Sequence, residues 1–322
     1  MITDAKSHLV VKVAKEYFEV GKTQQEIANA MRISRSTVSR VLSRAREEGI
    51  VQISIEVPPG IYPELERSIQ EYFGLLEVIV IETNNYDYSD GVALELGQAA
   101  ENYLERTIQN NDVIGFAWGT TMKAMVDAMQ PVKMSGVKVF QMNGGLTPQM
   151  IDIHGTSLTR NLATRLDGDA YMLQAPGVVD NHQVRQVFMA DAQVKQVFDL
   201  ADHASAAFFG IGTVADDTLW GRAGLLSNDV MDELETLGAV GDIMSRYYNA
   251  EGIMINSSLC QRVVGIPIEK LMLVERRIGV AGGQKKIKAI LGAILGGYIN
   301  VLITDHITAQ KIRSTFDQIS MK

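Results

Sequence analysis

Residues 23–46, TQQEIANAMRISRSTVSRVLSRAR, carry the spacing of two short helices joined by a tight turn. Thr23 suits an N-cap, and Glu26 three residues on completes a capping box; Ile27, Ala28 and Met31 then form the buried side of a short helix. Ser34 starts the next helix in the same way. There Val38, Val41, Leu42 and Ala45 recur at i, i+3, i+4, i+7, while Ser36, Ser39, Arg40 and Ser43 share the other face. Upstream, Val10, Val13, Ala14 and Tyr17 repeat that period and predict a support helix over about 8–19, ended by Gly21.

A helix whose free face holds small hydroxyls and arginines suits the DNA major groove. The hydroxyls allow close approach, and arginine offers bidentate contacts to guanine or charge contacts to phosphate. Arg35, Ser36, Thr37, Ser39 and Arg40 are the candidate contacts, completed by Thr23 and Gln24 on the first helix and Arg44 on the second. The competing reading is an ordinary three-helix bundle with a solvated Ser/Arg face. Arg32 occupies the turn position where Gly is usual; a left-handed Arg there costs about 1 kcal/mol relative to Gly. After Gly49, Ile50-Val51-Gln52-Ile53-Ser54-Ile55 alternates apolar and polar residues and predicts the strand of a wing.

Charge divides the chain. Residues 1–55 hold nine Lys/Arg and six Asp/Glu, a net of +3, whereas the totals of 30 and 38 leave 21 and 32, a net of −11, for the remainder. Only the N-terminal piece is electrostatically suited to DNA. A length of 322 residues with 46% hydrophobic content implies two domains, one of them large. No N-terminal signal pattern is evident, and the longest apolar-rich stretch, 289–303, is broken by Asn300 and three glycines, so no membrane span is expected. The single cysteine, Cys260, cannot form an internal disulfide and lies in no metal-ligand spacing. The reading is a cytoplasmic protein with no metal and no cofactor.

The domain boundaries follow as 1–57 for the DNA-binding piece, 58–62 for a linker stiffened by Pro58 and Pro59, and 63–322 for the second domain. A helix over 64–73, a strand over 77–82 and a helix over 90–109 open the second domain. Short apolar runs then end repeatedly in glycine turns that feed helices. Val113–Ala117 leads to Trp118-Gly119-Thr120-Thr121, Val137–Met142 to Asn143-Gly144-Gly145, and Ala204–Phe209 to Gly210-Ile211-Gly212-Thr213. Ile278–Ala281 leads to Gly282-Gly283-Gln284-Lys285-Lys286, and Val301–Asp305 precedes a last helix. This alternation predicts an α/β domain, a mainly parallel sheet with helices on both faces, with ligands gathering at the strand carboxyl ends.

The turns have the chemistry of an anion site. Gly119 admits a ligand to the backbone, and Thr120 and Thr121 add hydroxyls beside the free N–H groups of a helix N-terminus. Gly282 and Gly283 offer the same at another strand end, with Lys285 or Lys286 supplying charge. Turns of this kind are common in α/β proteins, so their combination carries more than either alone.

The order WGTTM at 118–122, NGG at 143–145, GIGTV at 210–214, GAVGDI at 238–243, VAGGQKKIKAI at 280–290 and GGYINVLITDHITA at 296–309 follows a helix-turn-helix. It resembles the SorC family of sugar-responsive bacterial transcriptional regulators over nearly the whole chain, with the deoxyribonucleoside-regulator branch most similar. The resemblance implies an effector domain of the glucosamine-6-phosphate deaminase / ribose-5-phosphate isomerase type that binds a phosphorylated sugar without converting it. It also implies homo-oligomers, dimers or tetramers, on double-stranded operator DNA.

Carried onto this chain, the resemblance assigns the phosphate to Gly119, Thr120 and Thr121, with a second anchor at Lys286 of the GGxxK pattern. The effector set also takes in Asn143, Gly144, Gly145, Gly212, Gly282 and Gly283. Asp242 is implied as acceptor of sugar hydroxyls, its alternative being a cap or turn Asp. Position 143 varies in the family and can be basic; here it is Asn143, which offers neither a Schiff-base amine nor a second phosphate contact. His154, shortly after NGG, is placed toward the pocket, while His8, His182, His203 and His306 read as surface or packing residues. Trp118 either walls the sugar site or packs.

Two functions remain. One is a regulator, a repressor of a carbohydrate or nucleoside catabolic operon, whose operator binding a sugar phosphate controls. The other is a sugar-phosphate isomerase or deaminase with an appended DNA-binding module. No acid/base pair is identifiable and no catalytic residue is assigned, so the first is preferred.

Overall fold

The computed structural model describes residues 5–84, 89–145, 155–214 and 227–320. The chain forms two compact units, 1–58 and 59–322, with the division inside the segment read as the linker. Among the described residues no helix is long and apolar enough to cross a membrane.

The first unit holds α1 (Ala5–Phe18), α2 (Gln24–Met31) and α3 (Arg35–Glu47). Val13, Ile27, Ala28, Val38 and Leu42 close over one another as its core, with Val10, Ala14 and Ala45 in a second patch. The capping box forms fully: the Glu26 amide donates to Thr23 Oγ1 at 3.3 Å, and the Thr23 amide donates to Glu26 Oε2 at 2.8 Å. Ser34 Oγ caps α3 by accepting from the Thr37 amide at 3.1 Å. Arg32 is left-handed at φ 53°, ψ 44°, and its N–H is directed at the Ala28 and Asn29 carbonyls. The turn therefore has the usual geometry without the usual glycine.

The wing strand is not formed. Residues 52–58 lie in no strand, and Ile53 and Ile55 are 62% and 82% exposed. Alternation makes a strand only where a second extended segment completes the ladder. The rest of this unit's described residues are helices and turns. The unit is a helix-turn-helix, with no wing strand among the described residues.

The second unit is built on seven parallel strands: β1 (Glu77–Ile81), β2 (Val113–Phe116), β3 (Lys138–Gln141), β4 (Asp169–Tyr171), β5 (Ala206–Gly210), β8 (Arg276–Val280) and β9 (Val301–Asp305). Their spatial order is β1-β9-β8-β5-β2-β3-β4, and β6 (Ala239–Ile243) and β7 (Arg246–Asn249) form a separate antiparallel ribbon. Successive side chains serve opposite faces. Val301 and Ile303 pack with α5 (Ser89–Thr107), α6 (Thr120–Ala128) and α7 (Gly155–Arg165), whereas Leu302 packs on the other side. That second layer contains α4 (Pro63–Phe73), α9 (Ala192–Asp199), α12 (Ile287–Leu295) and α13 (His306–Ser320). The remaining helices are α8 (His182–Ala190), α10 (Asn228–Thr236) and the single turn α11 (Ile268–Leu271).

This topology fixes where a ligand can enter. From β2 the chain proceeds to β3 and β4 in one direction, and from β5 to β8 and β9 in the other. β2 and β5 are neighbours, so the switch point, and the crevice it opens at the carboxyl ends, lies between them.

Candidate effector site and DNA-contact surface

In the first unit α3 buries Val38, Leu42 and Ala45 and exposes Arg35, Ser36, Ser39, Arg40, Ser43 and Arg44, with Thr37 half-buried. The hydroxyls of Ser36 and Thr37 each lie 2.8 Å from Ser34 Oγ, and Arg40 Nη2 donates to Thr37 Oγ1 at 3.5 Å. Arg44 is paired with Glu48 at 2.6 Å, so a DNA contact from Arg44 would have to replace that exposed pair. Tyr17, Lys22, Thr23, Gln24, Gln25 and Arg35 line an open hollow at the start of α2 and α3. Of the residues named from sequence, Thr23, Gln24 and Arg35 thus share that hollow, while Ser36, Ser39, Arg40 and Arg44 stand exposed along α3.

In the second unit the switch point is flanked by Gly119, which follows β2, and Gly212, which follows β5. Gly119 takes φ 139° and has no side chain with which to cap α6, so the helix presents its first N–H groups uncapped. Thr120 is exposed there and Thr121 is buried. Gly212 serves a different purpose. It exchanges backbone hydrogen bonds with Asp242 at 2.9 and 3.1 Å, and a Cβ at Gly212 would collide with the Asp242 carboxylate. The glycine makes room for the acid, and in this way the β6–β7 ribbon sets Asp242 over the end of β5.

Asp242 is 7% exposed, and its Oδ2 accepts from the Ser245 amide at 2.9 Å. It is therefore a turn Asp, holding the two-residue bend of the ribbon, and its remaining lone pairs leave it able to accept further donors. Burial pushes its pKa up to about 6, opposed by the Ser245 bond and the Lys286 charge. Lys286 is half-buried and makes no side-chain hydrogen bond or ion pair among the described residues. Burial lowers its pKa, and Asp242 partly restores it.

The glycines after β8 and β3 are bound more tightly than an open anion nest would be. Gly283, at φ 96°, donates its N–H to Asp305 Oδ2 at 2.9 Å and Thr308 Oγ1 at 2.8 Å, and a Cβ at Gly282 would collide with Asp305. Gly144 donates to the Val264 carbonyl and Gly145 to the Ala175 carbonyl. With their amides engaged, Gly283, Gly144 and Gly145 offer a ligand shape and placement instead of free backbone donors. Gln141 fixes the β3 loop: its Nε2 donates to the Asn143 carbonyl at 2.7 Å, and its Oε1 accepts from Leu173 at 3.2 Å. Trp118 is 8% exposed and donates to the Gly144 carbonyl at 3.2 Å, so it packs and ties two loops together. His154 lies outside the described residues. His306 stacks on Tyr62 with centroids 5.2 Å apart and accepts from the Thr83 amide at 3.3 Å, a packing role.

Three residues escaped the sequence reading. Gln141 stands inside the apolar run 137–142, Asp305 ends the run 301–305, and Arg246 stands inside the run IMSRYYN, where a charge is out of place. All three are at least 93% buried, and a polar residue within an apolar run is the signal that could have found them.

Comparison with known proteins identifies both units. Residues 62–313 match the sugar-binding domain family, and residues 7–58 match a Crp-like helix-turn-helix domain. The chain is 34% identical to the deoxyribonucleoside regulator of Bacillus subtilis over 307 residues, 95% of this chain and 97% of that protein. It is 32% identical to the sorbitol operon regulator of Klebsiella pneumoniae over 311 residues, 94% and 96% of the two chains. The full-length structure of the latter, SorC, matches with a TM-score of 0.74 at 31% identity, covering 95% of this chain and 98% of that one. These relatives are regulators, and they give no support to an isomerase or deaminase with an appended module. The chain is a helix-turn-helix transcriptional regulator with a sugar-binding domain, and it belongs to the SorC family.

Proposed function

We propose that this regulator is a cytoplasmic, homo-oligomeric repressor of a carbohydrate or nucleoside catabolic operon, released from its operator by a phosphorylated sugar. What supports this reading is an uncapped helix N-terminus at Thr120 and Thr121 after β2 and, two strands away after β8, a half-buried Lys286 with no side-chain partner among the described residues. A phosphate would accept from the N–H groups and hydroxyls of the one and meet the ammonium of the other. Asp242, on the same crevice, would accept sugar hydroxyls. Asn143 offers no amine, so binding would be non-covalent at that position. The names of the relatives, a deoxyribonucleoside regulator, a sorbitol operon regulator and an erythritol catabolism regulator, support a catabolic operon.

Thermal shift and titration with pentose and hexose phosphates and their unphosphorylated counterparts test the reading. Phosphorylated sugars should raise the melting temperature of the wild type and weaken its binding to DNA flanking its own gene. Lys286→Ala should lose the shift and retain DNA binding. Equal response to phosphorylated and unphosphorylated sugars, or normal affinity in Lys286→Ala, would reject the phosphate site.

A further inference from the structure

The chain leaves the helix-turn-helix as an exposed, strand-like run. Residues 52–58 contain no helix, turn or bend, and among the described residues their N–H and carbonyl groups make no backbone hydrogen bond. Ile53 and Ile55 stand 62% and 82% exposed there, and Val57 38%. The near end of the run is fixed: the Val51 amide donates to the Ala45 carbonyl at 2.9 Å, and Val51 packs on the patch that Val10 and Ala14 of α1 form with Ala45 of α3. In an extended chain Ile53, Ile55 and Val57 continue the face of Val51, and Gln52, Ser54 and Glu56 take the other. An unpaired apolar edge of this kind is a template for a further strand, and native proteins keep such edges short, charged or covered.

The run is complementary to itself. In an antiparallel pair of two copies about a two-fold axis at Ser54, Ile53 lies opposite Ile55, Val51 opposite Val57 and Gln52 opposite Glu56. The four apolar residues of each copy then share one face, and Glu56, the single charge in 51–57, meets an amide able to donate to it. Other registers lose these matches. A parallel in-register pair sets Glu56 against Glu56. A one-residue slip sets apolar residues opposite polar ones. Moving the axis to Ile53 or Ile55 carries the ladder into the turn at Gly49 or into Pro58, which has no N–H to donate. Two strands alone are marginal in water and gain stability when packed on helices. Val51 supplies that packing in each copy, on α1 and α3. The symmetry also suits the task, since a helix-turn-helix engages two half-sites through a two-fold axis between two copies.

We propose that residues 51–57 pair with the same residues of a second copy of this chain, antiparallel about Ser54, and so join the DNA-binding units of two chains. The partner strand that the alternation of this segment calls for is its own counterpart. The inference rests on the protein being a homo-oligomer, as in the reading above.

Cysteine cross-linking of the full-length chain in a Cys260→Ser background tests the register. Across the axis Ser54 faces its own counterpart within disulfide reach, whereas Gln52 and its counterpart stand about 14 Å apart. Under mild oxidation Ser54→Cys should form covalent dimer about tenfold or more faster than Gln52→Cys, although both positions are exposed in the single chain. Ile53→Asn/Ile55→Asn changes no charge and should keep the wild type's helical circular dichroism. It should bind DNA flanking its own gene about tenfold or more weakly, because the two DNA-binding units are no longer joined. Sedimentation of the wild type separates the two ways of failing. If it sediments as a dimer or tetramer while the two cysteines cross-link at equal rates or neither does, the strand pair is rejected and the homo-oligomer stands. Unweakened DNA binding by Ile53→Asn/Ile55→Asn rejects the pair as well. If the wild type sediments as a monomer, the homo-oligomer fails and the inference falls with it.

Discussion

Asp242 is held where the fold would be more stable without its charge. Its pKa in the folded protein, about 6, lies above the ordinary 3.8, and burial is the main cause. Between those values the folded state binds the proton more readily than the unfolded state. This group's contribution is therefore fully present below pH 3.8 and is lost as pH rises through about 6. Asp242→Asn removes the penalty and keeps an oxygen to accept from the Ser245 amide. Its melting temperature should exceed the wild type's at pH 7.5, and the gap should close as the pH is lowered toward 4, as scanning calorimetry can follow. The same variant should bind sugar phosphates about tenfold or more weakly, because the carboxylate's paired acceptor sites are gone. Arg32 is a second residue held against its preference, at φ 53°. Arg32→Gly should stabilise the turn by up to about 1 kcal/mol, read as slower amide exchange in α2 and α3. Both strained positions were named from sequence, Arg32 because glycine is usual there and Asp242 through the family pattern. Arg246 was not, since its burial arises only when the ribbon folds against Gly265.

At the scale of elements, what could be read in advance were the strands and helices with strong, self-contained signals. Strand Val301–Asp305 has the limits its apolar run predicts, and a helix, Ile287–Leu295, follows the glycine turn at 282–286 as expected. The omissions are elements without such signals. β4 is three residues at the sheet edge, and the β6–β7 ribbon turns through Met244 and Ser245, both at positive φ, with none of the Gly or Asn that marks such bends. The wing failed for the opposite reason, an alternation with no partner strand. The glycine turns were legible as positions but not as hydrogen-bond states: Gly283 spends its N–H on Asp305 and Thr308. That junction joins β9 to the loop carrying Lys286. Asp305 also accepts from the Thr308 amide at 2.8 Å and the Thr308 hydroxyl at 2.6 Å. Asp305→Ala would leave the Gly283 and Thr308 amides without that carboxylate, a loss of about 2–3 kcal/mol. Denaturant unfolding should show it, and sugar-phosphate affinity should fall while operator affinity without effector stays within about twofold.

Over the whole molecule, charge assigns the two tasks to two units. Residues 1–55 carry net +3 and the remainder net −11, so phosphate neutralisation has to come from the helix-turn-helix while the larger unit repels DNA at long range. Counter-ion release then sets the salt dependence of operator binding: each Lys or Arg that neutralises a phosphate adds a little under one unit to the slope of log affinity against log salt. Arg35 and Arg40 are exposed on α3, and no carboxylate of the described residues pairs with either. If Arg40 meets a phosphate, Arg40→Ala should reduce the slope by about one per DNA-bound protomer and weaken all sequences alike. If it reads a guanine, the slope should hold and only the specific site should lose about 1–3 kcal/mol. Electrophoretic mobility or fluorescence anisotropy titrations at several salt concentrations, on operator and on scrambled DNA, separate the two outcomes. In either case the sugar-phosphate thermal shift of Arg40→Ala should match the wild type's, because the crevice between β2 and β5 is built from residues of the second unit. An unchanged slope together with unchanged operator affinity would remove Arg40 from the DNA surface and leave α3 as a solvated face.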